Sequence, residues 1–137
     1  MLTVNRTRGL MLALAAAVAL AGCASVESVK QAKGQGVKRT FRQPSDAVFQ
    51  AALAAATKRK LALVEQDRAG GLIVLSSGAS LTSLGERIAV FITRSSERST
   101  VVEVVSKPVG GAVTFPPDWP GILFGDIEGE LAAQKLK

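Results

Sequence analysis

A basic segment and a short apolar run, which ends at the only cysteine, limit how much of this 137-residue chain can enter a folded domain. Arg6 and Arg8 precede thirteen residues, Gly9 to Ala21, that are all apolar or small. At 1.5 Å per residue a helix of this length measures about 20 Å, which is shorter than the roughly 30 Å hydrocarbon core of a bilayer. The pattern therefore predicts an export signal rather than a permanent membrane span.

The segment Leu20-Ala21-Gly22-Cys23 resembles the lipobox of bacterial lipoproteins. By that resemblance, residues 1–22 are a signal peptide, and Cys23 carries a thioether-linked diacylglycerol and an acylated amine. An aspartate directly after the cysteine would resemble an inner-membrane retention signal, but this position is Ala24. The resemblance therefore implies an outer-membrane lipoprotein that faces the periplasm. The alternative is an ordinary secretory signal, because Ala19-Leu20-Ala21 also fits the small-x-small cleavage rule.

The chain that remains after residue 22 has 115 residues, with 15 basic and 11 acidic side chains. This length has room for one domain. Because Cys23 would be lipidated, no thiol is left for a disulfide, and the fold must rest on an apolar core.

Basic residues are concentrated near the start of this mature chain, which suggests contact with anionic lipid head groups or with phosphates of a polysaccharide. The alternative is that these charges lie on a solvated linker and a strand edge. Nucleic acid is not an expected partner, since no aromatic side chains interleave with the charges. The five candidate anion-contacting residues are Lys30, Lys33, Lys38, Arg39 and Arg42.

Residues 23–35 predict a lipidated flexible tether, because small, charged and glycine residues dominate them. As a random coil, a segment of this length spans about 20 Å. The α+β domain is expected over residues 36–137. It begins with an edge strand over Val37 to Arg42, followed by a helix from about Asp46 to Lys60 with Ser45 as its N-cap.

Four strands and a final helix are expected after that helix. Glu103 alternates with Val102 and Val104, which indicates a sheet with one face in water. The last helix begins near Asp118 or Trp119, and its acidic residues are interpreted as solvated charge. The order β-α-β-β-β-β-α predicts an α+β fold with a single antiparallel sheet and helices packed on one face. The four strands are expected at Leu61 to Gln66, Leu72 to Ser76, Arg87 to Arg94 and Thr100 to Ser106.

The helix-and-strand segment SDAVFQAALAAATKRKLALVEQD, followed by Gly70-Gly71 and further strands, is similar to small domains of outer-membrane lipoproteins. Among these are the BamC-like accessory subunits of the barrel-assembly machine and small proteobacterial lipoproteins. The similarity covers roughly Val37 to Ser106. It implies a helix-grip domain that acts through protein contact rather than catalysis.

Catalytic chemistry is not expected, because the chain contains no histidine, the side chain best suited to proton transfer at neutral pH. Histidine-based triads and histidine-based zinc sites are thereby excluded. We predict no enzyme activity, no cofactor and no metal. Three functions stay open: a protein-interaction or assembly-accessory lipoprotein, which is favoured; a carrier of a lipid or other apolar ligand; and hydrolysis of cell-wall material.

Overall fold

The computed structural model describes residues 26–81, 84–110 and 115–137, so the predicted signal peptide and Cys23 lie outside the described residues. The elements follow the predicted order, with an additional helical segment at the start. The α+β prediction is confirmed. The elements are α1 (residues 26–30), β1 (Val37–Phe41), α2 (Ser45–Lys58), β2 (Ala62–Asp67), β3 (Leu72–Ser76), β4 (Glu86–Ser96), β5 (Ser99–Pro108) and α3 (Trp119–Lys135).

The five strands form one antiparallel sheet with the order β1-β5-β4-β3-β2. The long β4–β5 hairpin occupies its middle, and β1 and β2 are its edges. A bulge in β2 between Leu63 and Glu65 interrupts the pairing with β3. Alternate side chains of each strand therefore point to two opposite faces, which we call the helix face and the outer face.

The helix face is covered by α2 and α3. Small residues of α2, including Ala51, Ala52 and Ala55, allow this helix to lie close to the sheet. From α3, the buried side chains of Phe124 and Ile127 complete the layer. The helix-grip-like packing of both helices on one face is thus as predicted. The sheet contributes Phe41, Ile73, Leu75, Ile88, Val90, Ile92, Val102 and Val104 to this core.

The two helices begin in different ways. Helix α2 starts at Ser45 itself, and the capping position is taken by Pro44, which makes no side-chain cap hydrogen bond. The prediction that Ser45 is the N-cap is therefore wrong, since the extended Pro44 already turns the chain into the helix. Helix α3 begins as predicted: Asp118 caps it by accepting from the Gly121 N–H, and Pro120 lies in the first turn.

The outer face carries a second, smaller core made with the N-terminal segment, residues 26–36. Val29 and Ala32 of this segment are buried against the outer face of β3, β4 and β5. The described part of the expected tether thus differs from a flexible linker. The physical reason is that it has an apolar surface to bury, which consists of Val74, Ala89, Phe91 and Val105.

The two ends of the sheet differ in the connections that lie there, and we call them the hairpin end and the loop end. At the hairpin end lie the β2–β3 turn, the β4–β5 turn and the link from β1 to α2. At the loop end lie the β3–β4 and β5–α3 connections, of which residues 77–81, 84–85, 109–110 and 115–118 are described. Within the described ranges, no helix is both long and apolar enough to cross a bilayer.

Candidate functional site

Glu103 attaches the N-terminal segment to the middle of the sheet. Its Oε1 atom accepts the backbone N–H of Gly34 at 2.6 Å and that of Gly36 at 2.8 Å. Gly36 leaves no room for a side chain, because a Cβ there would overlap the Val104 carbonyl and the Val105 side chain. Glu103 is only 5 % exposed, so the prediction that this part of the outer face is in water is wrong. The carboxylate is buried because the segment covers it.

Two lysines add polar contacts between the segment and the sheet. The Lys30 ammonium lies 3.0 Å from Glu65 on β2 and 3.3 Å from Glu27. Hydrogen bonding to Glu65, and then to Glu27, raises the pKa of Lys30 above its ordinary value. From β5, Lys107 donates to the Ser28 carbonyl at 3.0 Å. The segment is therefore held at both of its ends as well as by its buried side chains.

The direction of the N-terminal segment follows from these contacts. Gly34 and Gly36 lie at Glu103, whereas Ser28 lies at Lys107, four residues closer to the loop end along β5. Traced backwards from residue 36, the chain therefore runs towards the loop end. Only three peptide steps separate Val26 from Cys23, and these span at most about 10 Å.

The five predicted anion-contacting residues do not form one patch. Lys30 and Lys38 are turned to the outer face, where Lys38 lies 4.0 Å from Glu103, and the Lys33 ammonium lies 5.6 Å from the centre of the Phe91 ring. Arg39 lies on the helix face, 5.0 Å from the Phe124 ring and 3.7 Å from Glu128. Four of the five thus interact within the fold. Arg42 lines a groove beside α3.

Asp126 differs from the solvated charge that the sequence suggested. It is buried beneath α2, where the Arg59 Nε and Nη2 atoms donate to its two oxygens at 2.5 and 3.0 Å. Lys58 adds an ion pair at 3.3 Å. The hydrogen bonds from Arg59, with support from Lys58, hold the pKa of Asp126 below its ordinary value against the opposing effect of burial. Asp126 is therefore a structural link between α2 and α3.

Two depressions on the described surface are open grooves. One of about 720 Å³ runs between β1 and α3, past Phe41, Arg42 and Leu131. Another, of about 340 Å³, lies at the hairpin end beside Arg68 and Arg94. The residues between the sheet and the helices are packed to within a few per cent exposure.

Strand β2 offers an unpaired edge to a partner. Its neighbour on one side is β3, and no strand among the described residues pairs with its other side. Leu63 is 50 % exposed and Val64, at the bulge, is 42 % exposed. An edge that combines free backbone groups with exposed branched apolar side chains is suited to bind an extended segment of another protein.

The contacts that fix the N-terminal segment were not identified from the sequence. Glu103 and Lys107 lie in a strand whose apolar and polar side chains alternate, as they do in any half-exposed strand, so neither residue stands out in the sequence. Ser28 contributes only its backbone carbonyl, which its residue type does not reveal. One signal was present: Val26, Val29 and Ala32 recur every three residues, which indicates a helical face.

No family model and no curated protein matches this sequence. Solved structures with related shapes include the adenylate sensor of AMP-activated protein kinase in complex with ZMP, with a TM-score of 0.47 and 12 % identity over 72 % of this chain and 95 % of that one. The di-domain ARO/CYC protein BexL gives a TM-score of 0.42 and 15 % identity, over 71 % of this chain and 43 % of its own. A third, TTHA0849 from Thermus thermophilus, gives 0.36 and 10 % identity, over 72 % and 96 %. At such TM-scores the likenesses say nothing about what this chain binds.

Proposed function

We propose that this chain is a non-enzymatic envelope lipoprotein, anchored through lipid on Cys23, whose domain is a protein-interaction or assembly-accessory module at the periplasmic face of the outer membrane. The anchor rests on the lipobox-like Leu20-Ala21-Gly22-Cys23. The absence of histidine from the whole sequence supports a role in contact rather than catalysis.

The observation that carries the interaction role is the edge of β2. Leu63 and Val64 expose apolar surface beside backbone groups that have no strand partner among the described residues. A partner strand would satisfy those groups and cover both side chains. Because the N-terminal segment is docked on the outer face, the edge is also held close to the membrane that carries the anchor.

The anchor is tested by metabolic labelling with an alkyne analogue of palmitate in a bacterial host. The native chain is expected to take up the label, and Cys23→Ser to lose it. Ala19→Ser serves as the matched control, because it changes the apolar run without removing the acceptor thiol. Label on the Cys23→Ser protein would contradict the anchor. In an enteric-type host, Ala24→Asp is expected to move the labelled protein from the outer to the inner membrane fraction.

The interaction edge is tested by a photo-crosslinking amino acid placed at Val64 in intact cells. We expect a discrete crosslinked product that is lost when Leu63→Asp is added, because a charge disrupts apolar docking at the edge. The same crosslinker at Glu97, in the exposed β4–β5 turn, is the control. Equal crosslinking at Val64 and Glu97, or none at Val64, would contradict a partner at this edge.

A further inference from the structure

We propose that the loop end of the domain inserts into the lipid headgroup region beside Cys23, so that the domain lies on the membrane in one orientation. This inference rests on the proposed lipid anchor and adds the surface through which the domain itself meets the lipid.

Exposed apolar side chains are concentrated at the loop end. Leu81 and Leu84 in the β3–β4 connection, and Phe115 ahead of α3, are each at least 67 % exposed, and Val109 is partly exposed. The two connections are neighbours: the Val109 N–H donates to the Gly85 carbonyl at 2.9 Å, and the Leu84 side chain approaches Gly110. Large apolar side chains grouped in this way mark a surface that is covered by a partner or a membrane.

The anchor selects the membrane as the occupant. The N-terminal segment runs along the outer face towards the loop end, and the three peptide steps from Val26 to Cys23 reach no further than about 10 Å. A lipid on Cys23 therefore enters the bilayer within about 10 Å of Val26, on the side where Leu84 and Phe115 are exposed. No long linker intervenes that would let the domain turn this end away.

The charges at the loop end suit an anionic lipid surface. Arg87 and Lys107 lie opposite each other on β4 and β5, on the outer face. The Arg87 Nε is buried without a hydrogen-bond partner among the described residues, and Lys107 donates to the Ser28 carbonyl. Like charges facing across a strand pair are unfavourable unless anions compensate them. Arg87 is partly exposed, so lipid phosphates that reach this pair would compensate its charge.

The two acidic groups at the loop end, Glu86 and Asp118, have hydrogen-bond partners within the domain. Glu86 is buried and accepts from the Trp119 indole N–H, and Asp118 accepts from the Gly121 N–H as the cap of α3. Both carboxylates are thus turned to partners within the domain.

The test uses the full lipid-modified protein, reconstituted in vesicles of phosphatidylethanolamine and phosphatidylglycerol. Because the thioether to diacylglycerol blocks the Cys23 thiol, Leu84→Cys or Phe115→Cys supplies a single free thiol for an environment-sensitive fluorophore. Glu97→Cys, at the exposed hairpin end, is the matched control. We expect the fluorophore at Leu84 and Phe115 to be quenched by brominated lipids and shielded from aqueous iodide, and the one at Glu97 to show the reverse.

A second variant separates insertion from local burial. In Leu81→Asp/Leu84→Asp, which changes two exposed side chains, quenching of the Phe115 fluorophore by brominated lipid is expected to fall. Shielding from both quenchers at Leu84 and Phe115 would show that protein, such as a second copy, covers the loop end, and would overturn the proposal. Free access of iodide to the fluorophores at Leu84 and Phe115 would also overturn the proposed insertion. If the acylated protein still floats with the vesicles in that case, the lipid anchor itself is unaffected. Failure to acylate or to float would instead count against the proposed function.

Discussion

Glu103→Ala is expected to release the N-terminal segment from the sheet while leaving the helix face folded. The substitution removes the one oxygen that accepts both the Gly34 and Gly36 N–H groups. Hydrogen bonds to charged groups contribute at least about 1.5 kcal/mol each, which gives about 3 kcal/mol for the pair. Removing a buried carboxylate also recovers part of its desolvation cost, so we expect a net loss of about 2 kcal/mol in the stability of docking.

Hydrogen exchange measured by mass spectrometry on the lipid-modified protein in detergent would show this loss directly. A change of about 2 kcal/mol in local opening corresponds to roughly 30-fold faster exchange in peptides covering residues 28–36. Peptides from the middle of β4 are expected to change much less, because Val90 and Ile92 face α2 and α3.

Two variants control for the loss of charge and for substitution in general. Glu103→Gln keeps a carbonyl oxygen that can accept both N–H groups, so its effect is expected to be intermediate. Glu97→Ala, in the exposed β4–β5 turn, is expected to change nothing at residues 28–36. If Glu103→Ala leaves exchange at residues 28–36 unchanged, the carboxylate does not hold the segment, and our account of its docking is wrong.

Three further predictions concern other parts of the fold. Pairing with Arg59 lowers the pKa of Asp126, so the stabilisation of the fold by this ion pair is complete above the ordinary pKa of 3.8 and is lost as the pH falls below it. Asp126→Asn should therefore lower stability at pH 7 and flatten the acid side of a plot of melting temperature against pH, whereas an unchanged acid slope would contradict a stabilising role of the Asp126 carboxylate. Gly125→Ala is expected to raise the free energy of unfolding, measured in urea, by about 1 kcal/mol, since a Cβ at this helical position meets open space. Gly71→Ala should lower the free energy of unfolding, because Gly71 has a positive φ and its Cβ would overlap the Ile92 carbonyl; a change of the same sign in both variants would refute this account. Val29→Ala, which opens space in the outer-face core, is expected to cost about 2 kcal/mol and to speed exchange in residues 26–36, and a neutral result would show that the apolar contact contributes little.

The order of the elements was predictable because most of them carry one clear periodicity. The alternation of Val102 and Val104 with Glu103 indicated a strand, and Val48, Phe49 and Ala52 recur at the spacing of a helix. The backbone geometry of a strand or a helix, together with one buried face, is enough to produce these two patterns of apolar residues. They report which residues face a core, and for the helix face that information was correct.

The sequence could not show what covers the other face. Glu103 has the same local pattern whether it meets water or the N–H groups of a segment almost 70 residues away in the chain. Similarly, Asp126 lies among other acids on α3, and only the packing of α2 places Arg59 over it. Contacts of this kind depend on how elements are arranged in space, which periodicity does not encode.

In the proposed lipoprotein, docking of the N-terminal segment also determines which partners the edge of β2 reaches. With Cys23 as the anchor, a flexible linker of a dozen residues would let the edge search a large volume, whereas the docked segment leaves three peptide steps. The effective concentration of the edge rises for a partner within the same membrane, because the search is confined to a thin layer above the bilayer. A partner fixed further into the periplasm would have to bring its own extended segment down to this layer.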